Sequence, residues 1–144
     1  MIQVQKIEKP EELEQAFGIR MSVFVVEQGV PAHIEQDAFD GAADTTHFLL
    51  RLNGEPCATA RCRATEHGIK IERMAVMAGH RHIAAGKNLL LYMLNYIQEA
   101  QPSAHIYLHA QHQVVGFYAR FGFVAQGATF IEADITHQKM VFGA

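Results

Sequence analysis

The chain has 144 residues, 49% of them hydrophobic and 19% charged, with a net charge of −3. That length suits one domain with a core large enough to stand without disulfides or a structural metal, and the composition excludes intrinsic disorder. The slight negative charge excludes a strongly basic nucleic-acid footprint, no apolar run is long enough for a membrane span, and the start at Met1–Lys6 has no signal-peptide layout.

Residues 1–144 read as one continuous unit without repeat or linker. Ile2, Val4 and Lys6 alternate with Gln3 and Gln5 as a short strand. Pro10 suits a first helical position, and Glu11 and Glu12 favour a helix N-terminus. Leu13, Ala16, Phe17, Met21 and Phe24 continue at helical spacing until Gly29 and Pro31 stop the helix. Residues 31–45 read as a loop carrying Glu35, Asp37, Asp40 and Asp44. Thr46–Leu52 and Pro56–Thr65 are strands joined at Asn53-Gly54, a strong hairpin signal, and Gly68–Val76 is a third antiparallel strand. Cys57 and Cys62 share the middle strand at odd spacing, which puts them on opposite faces; two such cysteines make no disulfide framework, and a reduced, cytoplasmic protein is expected. Met77–Ile83 reads as a polar loop, and Ala84–Ala100 as a helix that buries Leu90, Met93, Leu94 and Ile97. A strand at His105–Ala110, a short helix at Val114–Arg120 and closing strands at Phe123–Gln126 and His137–Val141 complete the order β-α-β-β-β-α-β-α-β-β.

Five groups of residues invite chemistry. Arg81-His82-Ile83-Ala84-Ala85-Gly86-Lys87 follows a strand and opens a helix, where free N–H groups and the helix dipole favour a phosphate; the alternative, which these residues alone favour, is an ordinary loop whose alanines merely suit a helix. In Phe117-Tyr118-Ala119-Arg120-Phe121-Gly122-Phe123 the phenylalanines read as core, whereas the Tyr118 phenol is able to protonate a leaving thiolate. Glu72-Arg73 lies in an apolar strand, so one of the two faces a core or cleft; Glu72 is either a general base or part of an ion pair. Nine histidines match no zinc spacing, so no metal is expected, but His109 and His137 stand out singly as cleft-facing bases or as hydrogen-bonded strand residues. The acidic segment Glu35–Asp44 lacks a calcium-loop pattern and reads as a solvated loop or an attractor of cationic amines.

The order of these parts resembles the GNAT superfamily of acyl-CoA-dependent N-acyltransferases over nearly the whole chain. The likeness runs through the strand Ile69–Val76, the loop Arg81–Gly86, the long helix, the strand Ile106–Ala110 and Phe117-Tyr118-x-x-x-Gly122-Phe123. It is similar in particular to the small ElaA-like branch, through Arg20, Val23-Phe24-Val25-Val26-Glu27-Gln28, Glu72-Arg73, Ala110-Gln111 and the tail Glu132–His137. The resemblance implies an α/β (α+β) fold: a mixed, mostly antiparallel sheet of six to seven strands, splayed at its centre and flanked by helices. It implies acetyl-CoA as co-substrate, with backbone groups of Met74, Ala75 and Val76 on the pantetheine arm and the loop Arg81, His82, Ile83, Ala84, Ala85, Gly86 and Lys87 on the pyrophosphate. Gln111 stands where many members carry Asn, and Phe117 joins the cofactor site. The loop departs from the family at Ala84, where glycine is usual; alanine fits if it keeps ordinary helical dihedrals, so binding is expected to survive. Thr136 replaces a proline common before the branch's histidine. By the same resemblance Tyr118 is the general acid; Glu72 is the first candidate for a base through water, and Arg20, Gln28, His109 and His137 are candidate linings of the acceptor pocket. The expected acceptor is a primary amine of a small molecule or peptide, with neither nucleic acid nor membrane as partner, and a homodimer is plausible for so short a fold. The rival readings are a different acyl-CoA donor and a non-catalytic acyl-CoA-binding module.

Overall fold

A computed structural model describes residues 1–143, the side chain of His82 excepted. Strand β1 (Ile2–Lys6) leads into helix α1 (Pro10–Arg20), where the Glu12 carboxylate accepts from the backbone N–H groups of Glu8 and Lys9 and so closes the helix start. The helix continues as a π-helix over Met21–Glu27, a wide-turn form rare outside functional regions. Residues 31–45, expected as loop, hold a short helix α2 (Ala32–Glu35) and a 3-10 turn at Ala38–Gly41. Strands β2 (Thr45–Leu52), β3 (Glu55–Thr65) and β4 (Gly68–Val76) follow as an antiparallel meander. A 3-10 turn (Ala78–Ile83) precedes α3 (Ala85–Ala100), which crosses over to β5 (Ile106–Gln111). Helix α4 (Val115–Ala119) and strands β6 (Phe123–Ala125), β7 (Phe130–Glu132) and β8 (Ile135–Phe142) close the chain.

The sheet runs β1-β2-β3-β4-β5-β8-β6, with β7 on β8 beside β6, so it has eight strands. Among the described residues only β4 and β5 pair in parallel. The mixed, mostly antiparallel architecture expected from sequence is therefore present, with β7 in addition. That strand went unread because its turn to β8 is built by Ala133 and Asp134, both at positive φ (51° and 62°), without the usual Asn-Gly signature. Helix α3 buries Leu89, Leu90, Met93, Leu94 and Ile97 against Phe48, Leu50, Ala58, Ile71, Leu108 and Met140; each such side chain contributes roughly 1.5–3 kcal/mol. Helix α1 and the π-helix after it cover the other face of β2–β4, through Ala16, Ile19, Val23, Leu49 and Ala75. Cys57 and Cys62 are both free and both buried. They join the same core cluster, because Cys57 sits at a register shift between β2 and β3 that breaks the alternation expected of them.

Two local features make the site. Pairing of β4 with β5 is confined to Ile69–Ile71 against Ile106–Leu108, after which the strands part. At the closed end Gly68 admits no side chain: a Cβ there would stand 2.3 Å from the His105 carbonyl oxygen. Beyond the seam β4 carries a bulge, with Arg73 and Met74 set against Ala60 alone and Arg73 at φ 56°. Among the described residues no helix is long and apolar enough to cross a membrane.

Candidate active site

The parted strands open a cavity of about 1290 Å³, larger than the ~300–1,000 Å³ typical of one small ligand. Met74, Ala75 and Val76 form its β4 wall; Gln111, Phe117 and Tyr118 stand across from them, and Ala84, Gly86 and Lys87 close the end near Val76. A Cβ at Gly86 would stand 3.3 Å from the Phe117 ring, a tight contact to which the ring would have to yield. Ala85 is buried in the core and Ile83 packs against it, and neither lines the cavity. His82, read with the same loop, has its side chain outside the described residues.

Ala84 corrects the expectation of helical dihedrals: it sits at φ 59°, ψ 29°, left-handed, as the N-cap of α3. An L-residue pays about 1–2 kcal/mol for that region. Ala84→Gly relieves this strain at some cost in unfolded-chain entropy, so Tm is expected to rise by about 2 °C; calorimetry showing a lower Tm would refute the account. As the first turn of a helix, Ala85–Lys87 have N–H groups without intrahelical partners, as an anion site requires. Arg81 sits at the rim rather than free: its guanidinium donates to both Glu27 oxygens at 2.6 and 2.7 Å and to the Val76 carbonyl at 3.1 Å. A phosphate reaching Arg81 competes with Glu27.

Tyr118 is 9% exposed and its hydroxyl lies 3.5 Å from the Met74 sulfur, a weak acceptor. Burial pushes its pKa up to about 12, so the phenol keeps its proton at neutral pH. Glu72 and Arg73 both line the cavity, because the bulge breaks the alternation that would have separated them. Glu72 is not free to act as a base. Its carboxylate accepts from Arg61 Nε at 3.1 Å and from Arg63 Nε, and pairs with Lys70 Nζ at 3.3 Å. Burial pushes its carboxyl up, but the charges of Arg61, Lys70 and Arg63 outweigh that and hold it below the ordinary range. A carboxylate held by three cations is a weak proton acceptor.

Arg20 is also corrected. It is 1% exposed, does not line the cavity, and donates to Glu35 at 2.6 Å and Asp40 at 2.7 Å. Arg61 adds bonds to Asp37 at 2.8 Å and Asp40 at 2.6 Å, and Arg73 reaches Asp37 at 3.2 Å. The acidic segment is thus not a free loop: three arginines hold Glu35, Asp37 and Asp40, while Asp44 stays exposed. Gln28 lines the cavity, where Gln111 donates to it at 2.9 Å and ties the π-helix to β5. Phe24, Val30, Ile34 and Phe39 add an apolar wall that the sequence reading did not single out. His109 and His137 both line the cavity, and Glu132 stands between them, 3.7 Å from each. Glu132 was read only as part of the tail; its proximity to His109 depends on the unread β7–β8 hairpin.

Known proteins share this arrangement. A family profile for the acetyltransferase (GNAT) domain matches residues 7–143. A Bacillus subtilis relative bearing an acetyltransferase's name is 36% identical over 138 residues, which are 95% of this chain and 93% of that one. Escherichia coli ElaA is 31% identical over 125 residues, 85% of this chain and 81% of its own; its crystal structure superposes with a TM-score of 0.89 over 99% of both chains at 28% identity. The structure of an acyl-CoA N-acyltransferase from Pseudomonas aeruginosa gives a TM-score of 0.87 at 28% identity, covering 99% of this chain and 98% of that one. With a profile spanning nearly its whole length and a splayed sheet to match, the chain belongs to the GNAT acetyltransferase family, on the ElaA-like branch, and is an acyl-CoA-dependent N-acyltransferase.

Proposed function

We propose that residues 1–144 act as one unit that moves an acetyl group from acetyl-CoA to a primary amine of a small molecule or peptide, by direct attack with Tyr118 as general acid. The observation that carries the reading is a buried, protonated phenol in the wall of a two-ligand-sized cleft between parted strands. In this reading the unpaired edge of Met74–Val76 takes the pantetheine arm and the backbone of Ala84–Lys87 takes the pyrophosphate. A more distant structural relative, an aminoglycoside 6'-N-acetyltransferase complexed with coenzyme A, shares the fold at a TM-score of 0.76 and 12% identity, and its ligand supports the choice of cofactor. The amine attacks the thioester carbonyl, the carbon–sulfur bond breaks, and the sulfur takes the Tyr118 proton. Holding both reactants in one cleft supplies the proximity the step needs. The two free, buried thiols accord with a reducing compartment such as the cytoplasm.

Thermal unfolding tests the cofactor half. Acetyl-CoA at ~100 times its Kd adds about 2.7 kcal/mol, a shift of several degrees. Acetyl-CoA and CoA are expected to raise Tm and NADH to leave it unchanged; no shift at millimolar acetyl-CoA would sink the reading. Release of CoA across a panel of amines then tests transfer.

A further inference from the structure

Direct attack has an obstacle the acid does not remove. An alkyl amine at neutral pH is an ammonium and has no lone pair to attack with. The cleft must receive a cation and take a proton from it, and Glu72 is committed to three cations. We propose that Glu132 and His137 form the acceptor subsite, with the Glu132 carboxylate binding a primary alkylammonium and His137 Nε2 taking its proton. This rests on the acyl-transfer reading above and adds the recognition group and the base to it.

The geometry is specific. Glu132 ends β7 and is 49% exposed, with Oε1 3.7 Å from His109 Nδ1 and Oε2 3.7 Å from His137 Nε2. Those distances are beyond a hydrogen bond, so the carboxylate keeps its lone pairs for an incoming donor. The nearby His109, Lys70 and His137 hold its carboxyl below the ordinary range against burial, and it is an anion at physiological pH. His137 is 7% exposed, and its Nδ1 lies 2.7 Å from the Ile135 carbonyl. A carbonyl only accepts, so Nδ1 carries hydrogen and the neutral ring's lone pair is on Nε2, on the side of Glu132. Phe130 fixes both rings, stacked on His137 at 5.9 Å and edge-on to His109 at 4.9 Å. His137 pairs in register with Gln111, which lines the same cleft, so the pair opens where the strands part. The other charged or titratable groups around it are Lys70 and Glu72 on β4, paired with each other at 3.3 Å, Tyr107 on β5, and Lys139 on β8, whose ammonium lies over the Tyr107 ring. Among the described residues no group of three or more His, Cys, Asp or Glu is placed to hold a metal ion.

The protons balance. Of the three on the ammonium nitrogen, one passes to His137 and on to solvent past the exposed edge of Glu132. One stays in the amide. One replaces the proton that Tyr118 gives to the sulfur.

Two variants and two amines test this. Glu132→Gln removes the charge from a half-exposed residue, and His137→Asn keeps a donor for the Ile135 carbonyl while removing Nε2. With acetyl-CoA and benzylamine at pH 7, each is expected to lower kcat/KM by about 100-fold, with the acetyl-CoA thermal shift intact. With aniline, already neutral at that pH, His137→Asn is expected to lose little, and its benzylamine rate is expected to recover as pH approaches the amine's own pKa. Independently of turnover, benzylamine added to the CoA-bound protein is expected to shift the ring NMR signals of His109 and His137, and Glu132→Gln is expected to abolish that shift. Equal losses with both amines, or histidine signals indifferent to benzylamine, overturn the proposal. Absence of any acetyl-CoA thermal shift in the wild-type chain sinks the acyl-transfer reading instead, so the two failures are distinct.

Discussion

Tyr118→Phe is expected to cut kcat by about 10²–10⁴-fold while leaving acetyl-CoA affinity unchanged. The substitution removes one oxygen and keeps the ring, which packs edge-on against Phe117 at 5.1 Å and Phe123 at 5.9 Å. Among the described residues the lost hydroxyl's hydrogen-bond partner is the Met74 sulfur, at 3.5 Å, so no strong hydrogen bond disappears with it and the fold is expected to hold. Pre-steady-state release of CoA reads the chemical step, and calorimetric titration reads affinity. A rate matching wild type would remove Tyr118 from the mechanism, and a matched loss of CoA binding would make it a packing residue.

The largest stability loss is expected at Arg61. Its side chain is 1% exposed and bonds Asp37, Asp40 and Glu72, acids drawn from two separate stretches of chain. Arg61→Met leaves those carboxylates facing a thioether, and breaking a buried pair from one side costs about 3–5 kcal/mol. For a chain of this size that lowers Tm on the order of 10 °C. A loss under ~1 kcal/mol would mean the network is solvated in solution. The same acids set the response to pH. Asp37, Asp40 and Glu72 ionise below their ordinary range, each pushed up by burial but pulled down further by arginine or lysine partners. Depressed acids contribute stability that is complete above their unfolded pKa of about 4 and is lost as pH falls toward the folded values. Unfolding is therefore expected to ease steeply below pH ~4, with the acceptor side opening first, because Arg20, Arg61 and Arg73 hold the acidic segment there.

What the sequence shows and hides divides along the range of the forces. Strands β1 to β4, the Asn53-Gly54 turn and α3 are written in local alternation, turn chemistry and helical spacing, and they stand where those signals put them. The loop Arg81–Lys87 and Tyr118, which the proposed function uses, could be singled out because one short stretch of chain supplies each. Arg20 and Glu72 were misplaced because their partners lie 15 residues away in Glu35 and 11 residues away in Arg61, and nothing local announces such a pairing. Ala84 misled for another reason: only glycine advertises a left-handed backbone, so an alanine forced into it by its surroundings looks helical. Of the groups around the proposed acceptor subsite, His109 and His137 can be picked out singly. Their relation through Glu132 depends on a hairpin that two left-handed residues make without glycine.

The two buried thiols also decide how the chain can be assayed. Burial raises the pKa of Cys57 and pushes Cys62 up to about 12, so neither presents a thiolate at working pH, and neither is accessible. A colorimetric thiol dye added to a running reaction therefore reports released CoA against a nearly silent protein background. The same dye turns into a clock for global opening once heat or denaturant exposes the core, so one reagent reads both turnover and kinetic stability.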